Sequence, residues 1–129
     1  MSMGNEALSA GRLREAIEHF TKEIELHPTQ ALPYTKRAAA YSKLQRDEDA
    51  LADLNVATSL DPSHMPSFVD RSRMLTKFCR YSDALEGIEY VLSQKPSHKA
   101  ALEEKVKLVD LKVRTKIEDI FEGRGRECE

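Results

Sequence analysis

Residues 31–64, ALPYTKRAAAYSKLQRDEDALADLNVATSLDPSH, hold one complete copy of a unit that recurs on both sides of it. Two markers carry the recurrence: Ala16, Ala50 and Ala84 stand 34 residues apart, and so do Pro28, Pro62 and Pro96. A period of 34 is that of stacked helical hairpins, one hairpin to each repeat. The unit itself reads that way. Pro33 sits in the first turn of a helix, where its missing N–H removes no intrahelical bond, and LPYTKRAAAYSKL runs on to about Leu44. Asp47 to Leu60 supplies the paired helix, and Pro62 closes the unit.

Working outward, the preceding copy is incomplete. With Ala16 in the place of Ala50, Met1 falls on the fifth position, and GNEALSA is what remains of the first helix before Gly11 breaks it. LREAIEHFTKEIEL is its partner, with Leu13, Ile17, Phe20, Ile24 and Leu26 spaced as an apolar stripe. The following copy has Pro66 in its opening turn, Phe68 in the place of Tyr34, Leu75 in that of Tyr41 and Ile88 in that of Leu54. The small residues have a packing role: Ala38 and Ser72 on the first helices, and Ala16, Ala50 and Ala84 on the second, let the backbones of a hairpin approach closely. Each hairpin alone leaves an apolar face in water, and stacking buries it. Ala50→Leu is therefore expected to overpack its hairpin and cost about 1 to 3 kcal/mol, read as a fall in melting temperature.

Composition bounds the function. The 129 residues are 40% apolar and 33% charged, as in a soluble, mostly helical protein. The net charge of −2 supplies no field to hold a nucleic acid or a membrane surface. No apolar run is long enough for a signal peptide or a membrane span. The two cysteines, Cys79 and Cys128, have no ligand or framework spacing, so neither a disulfide nor a zinc site is expected, and a reducing, cytoplasmic compartment is. Among the four histidines, His64 and His98 occupy one repeat position and so reflect the turn between units. No two histidines have metal-ligand spacing on one helix. With no nucleophile elbow, no P-loop and no base beside Cys79, neither an enzyme nor a cofactor is expected.

At these residues the chain resembles the tetratricopeptide repeat (TPR) family. Tyr34, Ala38, Tyr41, Ala50, Leu54, Ala57 and Pro62 follow its motif in order, and the resemblance covers residues 4–111. Gln45 and Cys79 stand where Gly is usual, and Glu23 stands where Ala57 and Val91 mark a packed position; it either reaches Arg37 or leans into solvent. The resemblance implies an all-α fold, a right-handed superhelix of antiparallel helix pairs. One domain over residues 1–121 is expected, with repeats at 1–30, 31–64 and 65–98, a capping helix at 98–121 and a flexible tail at 122–129. Leu102, Val106 and Val109 fall where the next repeat's first helix would pack. Beyond them Val113, Ile117, Ile120 and Phe121 prolong an apolar stripe, which folding back, a second copy or another part of a parent chain would cover.

In such arrays the first helices line a concave groove. Helical spacing then places Asn5 and Ser9, Leu32, Thr35, Lys36, Ala39 and Lys43, and Val69, Asp70, Arg73 and Lys77 on it, with Glu103, Glu104 and Lys107 from the cap. Lys36, Lys43, Arg73 and Lys77 make a basic centre suited to an acidic peptide. Some co-chaperones of the family hold acidic chaperone tails in a carboxylate clamp; its five positions fall here on Met1, Asn5, Lys36, Pro66 and Asp70, and only Asn5 matches. EALSAGRLREAIEHFTKEIEL and YTKRAAAYSKLQ are most similar to the Hip-like co-chaperones, which lack the clamp and grip heat-shock chaperones through basic positions matched here by Lys36, Arg37, Arg71 and Arg73. The function this implies is a protein-interaction adaptor of the co-chaperone kind. The alternative is a scaffold subunit that docks or dimerises through its C-terminal helix.

Overall fold

The computed structural model describes residues 3–122; Met1, Cys128 and the expected tail from residue 123 onward lie outside them. Seven helices and no strand occur among the described residues: α1 (Met3–Ser9), α2 (Leu13–Leu26), α3 (Ala31–Lys43), α4 (Asp47–Leu60), α5 (Met65–Lys77), α6 (Tyr81–Gln94) and α7 (Lys99–Glu122). The described residues divide into two compact units, with the boundary between Ser67 and Phe68 inside α5.

The 34-residue period is written into the backbone of both kinds of turn. Inside each hairpin the first helix ends in a Schellman motif. Arg12 N–H bonds the Ala7 carbonyl, Arg46 that of Tyr41 and Arg80 that of Leu75, each at 2.9 Å. The residue before each of these arginines is left-handed: Gly11 at φ 80°, Gln45 at 61° and Cys79 at 57°. Only glycine takes this conformation without a Cβ penalty. Gln45→Gly is accordingly expected to raise stability by about 0.5 to 1 kcal/mol, measured by denaturant titration. Between hairpins a turn closes on the carbonyl of His27, Asp61 or Lys95 from the N–H three residues on, with the repeat proline preset for the second turn position. His64 and His98 then start the next helix. Nδ1 of His98 accepts the Ala101 N–H at 3.2 Å, and Nδ1 of His64 lies 2.6 Å from Ser67 Oγ.

In the first unit Ala7, Ala16, Phe20 and Ala40 form a buried cluster, with Leu8, Leu13 and Ile17 packed against it. Gly4 occupies the repeat position of Ala38 and Ser72. A Cβ on it would stand 2.6 Å from the Phe20 ring, so the ring packs directly on the α1 backbone there. The next hairpin buries Ala38, Ala50, Leu54 and Ala57. Leu26, counted above in the apolar stripe of α2, is 74% exposed: it sits in the last turn, past the end of the packed face.

The second unit uses the same crossing. Ser72 Oγ donates to the Ala84 carbonyl at 2.9 Å, and a Cβ on Gly87 would meet that hydroxyl at 2.8 Å. Ile88 and Val91 are fully buried, and the Phe68 and Tyr90 rings lie 4.7 Å apart between centroids. Helix α7 buries Ala101, Glu104 and Leu108. Leu102, Val106 and Val109 face outward instead, together with Val113, Ile117, Ile120 and Phe121. The packing expected of the first three is thus corrected: the face of α7 that packs carries small, acidic and single apolar residues, and its apolar stripe lies on another side.

Candidate functional site

The first helix of each hairpin is held by its turn motif and its small-residue crossing, and this fixes which of its faces is left for other work. On α3 two neighbouring cations part company. Lys36 Nζ donates to Asn5 Oδ1 of α1 at 2.7 Å, half-buried. This brings together two residues expected on one face, and Lys36 meets a neutral amide rather than a carboxylate. Lys43, exposed, stands in the last turn of α3, where a cation is favoured by the helix dipole. Thr35, the residue before Lys36, is 2.9 Å from Ser67 Oγ. The chain Thr35, Ser67, His64 thereby pins the middle of α3 through a buried hydroxyl.

Arg37 points elsewhere. Its guanidinium gives Asp53 of α4 a bidentate pair, Nε to Oδ2 at 2.8 Å and Nη2 to Oδ1 at 2.7 Å, and a third bond to Thr21 of α2 at 3.1 Å. The Tyr34 and Tyr41 rings lie 5.9 and 5.7 Å away. Asp53 is 5% exposed. The hydrogen bond to Asp53 raises the Arg37 pKa above its usual value, and burial works against that rise. Arg37 therefore ties three helices of the first unit together; its partner is Asp53, not Glu23, which is half-buried.

In the second unit Arg73 Nε donates to Glu104 Oε1 of α7 at 3.2 Å, and its Nη1 lies 3.5 Å from Asp70. The pair Arg73 and Glu104 is the counterpart of Asn5 and Lys36: each spans 31 residues and joins the same two repeat positions. Its electrostatics are opposite. Glu104 is only 7% exposed and its Oε2 has no hydrogen-bond partner, so the cation is matched by a buried acid and a second carboxylate beside it. Val69, placed on the groove by its spacing, is buried, while Leu32, Ala39, Lys77, Glu103 and Lys107 are exposed and Asp70 and Arg71 half-exposed. The expected basic residues are therefore uneven: among the described residues Lys36 and Lys43 pair with no carboxylate in the first unit, whereas Arg73 meets Glu104 and Asp70 in the second.

Asp53 is the contributing residue that spacing did not single out, although an acid inside the run Ala50, Leu54, Ala57 is the kind of break that signals a buried pair. A second periodic signal also went unread: Arg12, Arg46 and Arg80 recur at 34 residues, each paired three residues on with Glu15, Asp49 or Asp83 at 2.8 to 3.0 Å. These pairs are exposed and contribute little. Cys79 is disulfide-bonded, which corrects the expectation of unbridged cysteines; the chain's other cysteine, Cys128, lies outside the described residues. Among the described residues no cluster of ligating side chains is arranged for a metal ion, and no helix is long and apolar enough to cross a membrane. A shallow depression lined by Arg14, Ile17, Leu44 and Arg46 contains none of the groove residues.

No protein-family model matches the chain. The second TPR domain of human RPAP3, solved in complex with the HSP70 peptide SGPTIEEVD, superimposes with a TM-score of 0.76 at 33% identity, over 81% of this chain and 88% of that one. The chain belongs to the tetratricopeptide repeat family. The first TPR of Spaghetti (RPAP3), bound to the HSP90 peptide SRMEEVD, matches with a TM-score of 0.81 at 27% identity, over 85% of this TPR chain and 87% of that one. In sequence, Hsp70-Hsp90 organizing protein 3 of Arabidopsis thaliana is 48% identical over 52 residues, which are 40% of this chain. The TPR chain spans only 9% of that relative's length, so the likeness is to one module of a much larger protein.

Proposed function

We propose that this TPR chain is a protein-interaction module of the chaperone-adaptor kind, which takes an acidic peptide on the face formed by Asn5, Lys36 and Lys43. The observation that carries the reading is the Lys36 ammonium, held at 2.7 Å by an amide oxygen and so kept in place without being neutralised. A carboxylate arriving there gains a charge-assisted hydrogen bond to a donor that is already oriented. The TPR domains of similar structure are bound to SRMEEVD and SGPTIEEVD, both acidic toward their C-terminal end. In this chain the clamp positions hold Met1, Asn5, Lys36, Pro66 and Asp70. Lys36 and Lys43, both on α3, carry the recognition. Arg37, tied to Asp53, supports the face without touching the ligand. The reading assigns no catalytic step.

Calorimetric titration of the chain with SRMEEVD, and with the same peptide carrying Gln and Asn for its Glu and Asp side chains, tests the reading. The acidic peptide should bind at least about tenfold more tightly, and more weakly as salt rises. Equal affinity for the two would remove the charge-based recognition.

A further inference from the structure

Helix α7 leaves a stripe of apolar side chains exposed. Leu102, Val106 and Val109 hold the repeat positions that carry Tyr34, Ala38 and Tyr41 in α3, yet Val106 is 72% exposed. Val113, Ile117 and Ile120 continue the line at steps of three and four residues, so six apolar side chains follow one side of a 24-residue helix. Charges border this stripe in order. Helical spacing puts Lys105, Lys112 and Lys116 along one edge, with Asp119 at its C-terminal end, and Glu103 and Asp110 along the other, with Lys99 at its N-terminal end.

We propose that a second copy of this chain docks on the stripe, α7 against α7, with the two helices parallel. The edge charges select both the occupant and the direction. In a parallel pair the basic edge of each helix faces the acidic edge of its mate, which sets Lys105 of one copy against Asp110 of the other, twice by symmetry. An antiparallel pair would bring lysines to lysines and acids to acids near its centre. Asp110 bonds Arg114 of its own helix at 3.2 Å, but that pair is exposed and exchanges readily for one across the interface. The contact uses none of Asn5, Lys36 and Lys43.

The test is the mass of the full chain in solution by sedimentation equilibrium across a wide concentration range. A dimer of twice 14.6 kDa is expected. Val109→Glu, at an exposed position, should give a monomer of unchanged helical circular dichroism. Lys105→Asp and Asp110→Lys should each raise the dimer dissociation constant about tenfold, and the double reversal should restore it. A monomer at every concentration overturns the proposal, as does a dimer indifferent to Val109→Glu. A dimer lost in Val109→Glu but unmoved by either single charge reversal overturns the parallel arrangement.

Discussion

Asp53→Ala is expected to lower the stability of the chain by about 3 to 5 kcal/mol, the cost of leaving one member of a buried ion pair alone. The carboxylate is 5% exposed and accepts two bonds from Arg37 at 2.7 and 2.8 Å. Without it the guanidinium retains only Thr21 and two ring faces 5.7 and 5.9 Å off, which do not compensate a desolvated cation. A fall in melting temperature of more than about 10 °C follows. Replacing both partners, Arg37→Leu with Asp53→Leu, removes the stranded charge as well as the bond, so the double variant should recover most of the loss. If Asp53→Ala melts as the parent does, the pair does not tie the first unit together.

The second large effect is on binding. Lys36→Glu should weaken an acidic peptide by about 2 to 3 kcal/mol, roughly 30- to 150-fold, because a charge-assisted bond is exchanged for repulsion. Among the described residues the polar fold contact at stake is the bond to Asn5, so the melting temperature should move little. Arg73→Glu, by contrast, leaves Glu104 buried without its cation and joins a third acid to Asp70. It should lower stability as well as affinity, and the two variants are therefore not equivalent probes. Calorimetry and thermal melts on each separate the cases; an affinity unchanged in Lys36→Glu contradicts the role given to that side chain.

The repeat was legible in the sequence because packing and turn chemistry recur at fixed spacing. Ala16, Ala50 and Ala84 mark the crossings, and the bounds of α2 and α4 coincide with the segments read from the pattern. The left-handed backbone at Gln45 and Cys79 was foreshadowed by their standing where glycine is usual. Periodicity failed where a contact between distant residues decides a side chain's direction. Lys36 and Arg37 are neighbours with the same charge, and only the acid sixteen residues on draws Arg37 away toward α4. Likewise, spacing found the apolar stripe of α7 but not its direction. The face that packs is the one turned to the preceding helices, and on α7 this face carries Ala101 and Glu104. Glu104 could be placed near the groove, but its burial and its grip on Arg73 depend on a second helix, and these set Arg73 apart from Lys36.

The most direct measurement is a nitrogen-15 chemical-shift titration of the chain with SRMEEVD. The largest changes should fall on Asn5, Lys36 and Lys43 and their neighbours in α1 and α3, with Val106 and Val109 in α7 unmoved. Changes centred on the α7 stripe, or on the outer helices α2 and α4 with Lys36 unmoved, would contradict the account.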